Sequence, residues 1–168
     1  MLPNRPCRLV EVLPPLQGKP IRVVIRASLG PHLAATSIPR RVIYLDRQVL
    51  AERGEFERIL VHELFHFAWV RLSNQNRWDW ERVLSSEFRR RVRGELGWSA
   101  EWRKKQLQPN DVCNRTPAWR RYICESFCDS AARVYSGIVK HEEFTLSSSS
   151  VQSRVEWMRN LVTKGVRL

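Results

Sequence analysis

The segment His62-Glu63-Leu64-Phe65-His66 constrains this chain more than any other feature. It lies in a helical pattern running from Phe56 to Leu72. Residues four apart sit one turn apart on the same helix face, so both imidazoles can reach one metal ion. Glu63 is turned from His62 by about 100° on the wheel, so it flanks that site. A carboxylate there can take a proton from a metal-held water and hand it to a leaving amine. Around these polar residues, Phe56, Ile59, Leu60, Val61, Leu64, Phe65, Phe67, Ala68, Trp69 and Val70 cover almost the whole circumference. A helix apolar all round belongs in the centre of a fold. Polar side chains inside it need partners or a task. A single such histidine is unremarkable as a hydrogen-bonded core residue. Two at i and i+4, with a glutamate between them, make the pattern of a metal site.

A catalytic zinc takes three protein ligands and keeps one position open. The best third ligand in the sequence is Glu125, within Tyr122-Ile123-Cys124-Glu125-Ser126-Phe127-Cys128-Asp129. Thr116 can cap a helix here, Pro117 suits its first position and Gly137 suits its stop. Glu125 and Asp129 share a face, one turn apart. A metal-bound histidine commonly donates its second N–H to a carboxylate, and Asp129 is placed for that. Ala118, Arg121, Tyr122, Cys128, Ala132 and Ser136 lie in the same direction, and the small ones allow close approach of a second helix. His141 is a weaker third ligand, lying beyond Gly137 without a supporting pattern. The bland alternative is that Glu125 and Asp129 are solvated or paired with Arg121 and Arg133.

His62-Glu63-x-x-His66 followed by Glu125-x-x-x-Asp129 resembles the gluzincin branch of the zincin metallopeptidases, in a minimal form covering roughly residues 33–137. The extended metzincin motif is absent: Trp69 and Leu72 stand where its Gly and third His would be. The resemblance implies one Zn²⁺ per chain held by His62, His66 and Glu125. It further implies Glu63 as general base acting on a zinc-bound water, Asp129 orienting His62, and a peptide or protein substrate. Gluzincins also use a tyrosine or histidine at the oxyanion. Tyr122, Tyr135 and His141 are the candidates here, and Arg121 is a further candidate substrate contact. The implied fold is α+β and zincin-like, with a small mixed sheet on a buried active-site helix and further helices beside it.

A length of 168 residues suits one domain, taken as 1–168. Residues 1–20 are proline-rich, with a short strand expected at Arg8–Val12. Further strands are expected at Ile21–Ser28, Leu33–Ile38 and Arg41–Leu45, with Asp46 capping a short helical turn. In zincins an edge strand runs beside the cleft, and Ala34, Ala35 and Thr36 are the candidates for pairing with a substrate backbone. Pro39 just after them suits an exposed edge. Residues 73–80 read as a polar linker, and Trp80–Arg93 as an amphipathic helix. Ser99 reads as the cap of a helix over Ala100–Leu107. The serines at 147–150 read as a flexible joint before a last helix, Val151–Lys164. Trp98, Trp102 and Trp119 read as core or interface residues.

The net charge of +12 and pI of about 10.6 favour acidic partners. A non-catalytic basic module engaging nucleic acid is therefore the alternative, although no nucleic-acid-binding motif supports it. The four cysteines, at 7, 113, 124 and 128, form no C-x-x-C and read as buried thiols. A second metal site from Cys113, Cys124 and Cys128 is a weaker reading, and Cys128 lies near the proposed metal face. No signal peptide or membrane span is legible, so the expected location is the cytoplasm.

Overall fold

The computed structural model describes residues 13–15, 18–52 and 54–163. The expected strand at Arg8–Val12, Cys7 and the expected helix end at Lys164 lie outside the described residues. Three strands come first: β1 (Arg22–Arg26), β2 (Ala34–Ser37) and β3 (Val42–Asp46). β3 is the middle strand, parallel to β1 and antiparallel to β2, with Val42 opposite both Arg22 and Ser37. Its Val42, Ile43 and Leu45 are buried, as the central position demands. β2 forms an edge. Asp46 ends β3 by accepting the N–H of Gln48 at 3.0 Å, which starts a 3-10 turn over Arg47–Leu50.

Helix α1 (Glu55–Arg71) follows. It is apolar on two sides because it has a core on each. Ile59, Leu64 and Phe67 pack against Ile43, Leu45 and Val49 of the sheet side. Val61, Phe65, Ala68 and Leu72 pack into a second core with Trp80, Phe127, Ala131 and Met158. His62, Glu63 and His66 are left between these two stripes. Val70, counted among the apolar positions, is instead half-exposed near the helix end.

The helices beyond are α2 (Asn74–Arg89), α3 (Trp98–Gln106), α4 (Pro109–Cys113), α5 (Pro117–Tyr135) and α6 (Ser148–Thr163). Four sequence expectations need correction here. Residues 74–80 are not a linker, because Ser73 caps α2 by accepting the N–H of Asn76 at 3.1 Å. The polar residues there work on the surface: Arg77 donates to the carbonyls of Trp69 and Val70, at the end of α1. The helix also stops at Arg89, not Arg93, since Arg91 takes a left-handed φ of 56°. The serines at 148–150 are helical, and Ser150 is buried, so they begin α6 instead of forming a joint. Ser99 does not cap α3. Gly97 holds that position, and the Glu143 carboxylate accepts the N–H of Trp98 at 2.7 Å.

The α6 helix is fixed by a buried ion cluster. Arg154 is fully buried and bonds both carboxylate oxygens of Glu87 and of Glu95, at 2.5–3.1 Å. Glu95 also accepts from Tyr122 Oη at 2.5 Å and lies 3.0 Å from Lys104 Nζ. The class is α+β, with six helices and a three-stranded mixed sheet among the described residues. No described helix is long and apolar enough to cross a membrane.

Candidate metal centre

Helices α1 and α5 form the most extensive packing contact of the described elements. Thr116, Pro117 and Gly137 bound α5 as the sequence suggests: the Thr116 hydroxyl accepts the N–H of Trp119, and Gly137 takes a φ of 78°. Small side chains on its inner face, Cys128 and Ala132, bring the two helices together. The contact sets both histidine rings against α5. His62 Nδ1 lies 2.7 Å from Asp129 Oδ1, and His62 Nε2 lies 3.4 Å from Glu125 Oε2. His66 Nδ1 lies 3.6 Å from Cys124 Sγ. The ring centroids are 5.0 Å apart, edge to face. Each histidine thus has its Nδ1 engaged by α5, which leaves Nε2 as the nitrogen for a metal.

One edge of the His62, His66 and Glu125 set has the length that zinc would need. Ligand atoms around a tetrahedral zinc, about 2.0–2.2 Å from the metal, stand about 3.3–3.5 Å from one another. The 3.4 Å between His62 Nε2 and Glu125 Oε2 is such a ligand edge. Asp129 lies at the His62 Nδ1, where a carboxylate would fix the tautomer of a metal-bound ring. Among the described residues, the three side chains whose ligand atoms all lie within 4.8 Å of one another are His62, His66 and Cys128, so Glu125 is close to His62 but stands outside that group. Cys128 is fully buried in the helical core, whereas the Glu125 side chain is 16% exposed. A catalytic metal keeps one position open to water, which the partly exposed Glu125 suits better than the buried Cys128.

Charge within the site is strongly coupled. Burial opposes the imidazolium of His62, yet the Asp129 carboxylate holds its pKa well above the ordinary value. Burial likewise opposes the Glu125 carboxylate, but His62 holds it down to about 2. The His62 ring thus stands between two carboxylates, one at each nitrogen. Burial lowers His66, but the hydrogen bond with Cys124 together with the charges of Cys124 and Glu63 outweighs it, leaving a net rise. The hydrogen bond from Cys128 pulls Cys124 down to about 6, while burial pushes Cys128 well up. Cys113 is exposed on α4 and lies outside this cluster, so neither a three-cysteine site nor three buried thiols is formed.

Glu63 is buried and its Oε2 accepts the hydroxyl of Thr36 at 2.5 Å. The edge strand β2 is thereby tied to the proposed base. The other sequence candidates do not gather here. Tyr122 is buried and spends its hydroxyl on Glu95. Tyr135 stacks on Phe65 in the helical core, where burial pushes its pKa up to about 12. His141 Nε2 is 2.5 Å from Glu55 Oε1 at the start of α1, two turns before His62. Arg121 is exposed on α5.

Sequence reasoning missed the contribution of α3. Ser99 Oγ donates to Glu125 Oε2 at 2.6 Å, Arg103 Nη2 lies 3.4 Å from Glu125 Oε1, and Ala100 N–H donates to Asp129 at 3.3 Å. Gly97 is where α3 comes closest to Asp129, and a Cβ there would meet the carboxylate directly. Trp98 and Trp102 stack on each other and stay at least half exposed, so only Trp119 of the three is core. Nothing local in the sequence signals these contacts, which join residues 22–32 apart. Gly97→Ala is expected to push α3 and Asp129 apart and to cost about 1–3 kcal/mol. Chemical denaturation measures it, and an unchanged midpoint would show that the helix yields freely.

Comparison with family models, with curated proteins and with solved structures found no match.

Proposed function

We propose that this chain is a zinc-dependent peptidase of the gluzincin type, with a minimal zincin-like fold. His62, His66 and Glu125 are its ligands, Asp129 orients His62 and Glu63 carries protons. One observation supports this above the others: the His62 ring has Asp129 at Nδ1 and Glu125 at Nε2, at 2.7 and 3.4 Å. A core histidine needs one partner. One with a carboxylate on each nitrogen, a second histidine a turn away and a glutamate between them suits a metal ligand.

A zinc ion held there would polarise a peptide carbonyl and lower the pKa of water. The remaining work belongs to the chain. Glu63 takes a proton from the attacking water and delivers it to the leaving amine. Thr36 steadies Glu63 from β2, the strand whose edge, at Ala34, Ala35 and Thr36, can bind an extended peptide by backbone hydrogen bonds. Such pairing gives affinity with little dependence on side chains, so the substrate class is an extended peptide or an unfolded segment of a protein.

The test is metal content by elemental mass spectrometry of the purified protein. About one zinc per chain is expected, lost in Glu125→Ala and retained in Cys128→Ser. The reverse pattern would make Cys128 the third ligand and leave the pocket closed to water. No zinc, even after reconstitution, would remove the reading.

A further inference from the structure

We infer that Ser99 and Arg103 are positioning residues for the proposed metal centre, and that α3 is part of that centre instead of a cover over it. The inference rests on the assignment of Glu125 as a ligand. It starts from the way the Glu125 carboxylate is held. Its Oε2, the oxygen nearest His62 Nε2, accepts the Ser99 hydroxyl at 2.6 Å. Its Oε1 faces Arg103 Nη2 at 3.4 Å. Arg103 also donates through Nη1 to Ser99 Oγ at 2.7 Å and to the Ser99 carbonyl at 2.9 Å. These bonds form a chain from Arg103 through Ser99 to Glu125.

The chain has a directional consequence. A serine hydroxyl has one proton to donate. Arg103, always protonated, donates to the Ser99 oxygen, so the hydroxyl proton is free to point at Glu125. The guanidinium meanwhile offers a cation to Oε1, which keeps that oxygen turned away from His62. Glu125 is thus set to bind through Oε2 alone. A one-oxygen ligand leaves room for a fourth position, whereas a two-oxygen carboxylate would crowd it.

The rest of α3 is anchored for the same purpose. Residues 99 and 103 are one turn apart and share a face, so a single helix register serves both contacts. Ala100 N–H on Asp129 and Lys104 on Glu95 fix that register, and the Glu143 carboxylate caps the helix start. The helix inserted between the two sequence motifs therefore orients both carboxylates of the second one.

Zinc affinity, measured by competition with a chromophoric chelator, tests this. Ser99→Ala and Arg103→Met are each expected to weaken zinc binding by about 10- to 100-fold. Ser99→Thr, which keeps the hydroxyl, should restore most of it. Lys105→Ala, on the same helix but paired with Glu101 among the described residues, should match the parent. The visible spectrum of the cobalt-substituted protein should shift in Ser99→Ala and Arg103→Met but not in Lys105→Ala. A purely structural role for α3 would not move that spectrum selectively. Parent affinity and spectrum in both Ser99→Ala and Arg103→Met, with zinc lost in Glu125→Ala, would overturn the inference alone. Parent affinity in Glu125→Ala would overturn it together with the ligand assignment.

Discussion

Glu63→Gln is expected to lower peptide hydrolysis by about 10²–10⁴-fold, the usual contribution of a placed acid–base group. Zinc content and thermal stability should stay at the parent level. Glutamine matches glutamate in shape, and its carbonyl oxygen can still accept the Thr36 hydroxyl that Glu63 Oε2 accepts at 2.5 Å. What it lacks is the capacity to take up a proton. The loss should fall equally on kcat and on kcat/KM, because the transferred proton matters only in the transition state. The magnitude corresponds to about 3–5 kcal/mol of transition-state stabilisation. The assay is cleavage of a peptide library, read by mass spectrometry, with parent and variant at matched zinc occupancy. Equal cleavage by both would assign the base to another group. A rise in KM with constant kcat would mean that Glu63 serves binding and not proton transfer.

The distance over which each signal acts separates what the sequence reveals from what it hides. His62, Glu63 and His66 are legible because a helical turn brings i and i+4 together without help from the rest of the chain. Glu125 and Asp129 are legible for the same reason, and the caps at Thr116 and Gly137 act within four residues of the helix ends. β1 is legible from its β-branched run, and β3 from Val42, Ile43 and Tyr44. The juxtaposition of the two motifs follows from small residues on α5, which the wheel displays. The errors arise where a side chain has two uses. Ser99 has the chemistry of a cap, but its hydroxyl goes to Glu125, and the N–H of Trp98 is capped by Glu143, 45 residues on from Trp98. Asn74, Gln75, Asn76 and Asp79 look like a linker because polarity marks both loops and the solvent face of a helix. Tyr122 looks suited to an oxyanion role because it shares a face with Glu125. Its hydroxyl is instead committed to Glu95. Pairing of this kind is set by tertiary packing and leaves no periodic trace.

Arg154→Met is expected to destabilise the fold by about 3–5 kcal/mol, the range for removing one partner of a buried ion pair. For a chain of this size that is roughly a 6–20 °C fall in Tm. Arg154 is fully buried, and so are Glu87 and Glu95, whose four carboxylate oxygens it serves. Methionine fills much of the arginine stem and none of its charge, so the cost falls on two carboxylates left in a dry core. Lys104 and Tyr122 still reach Glu95, but Glu87 loses the one cation bonded to it among the described contacts. The pH dependence identifies the cause. Burial would raise the Glu95 pKa, but Arg154 holds it at about 2, below the ordinary 4.5. Its stabilising contribution is therefore complete above about pH 4.5 and is lost as the pH falls toward 2. Without Arg154, burial favours the protonated acid, which needs no cation. The gap between parent and variant should then be widest near neutral pH and narrow in acid. Urea denaturation at a series of pH values from neutral to 3 measures it. A gap that stays constant with pH would attribute the loss to packing of α6 and not to the buried carboxylates.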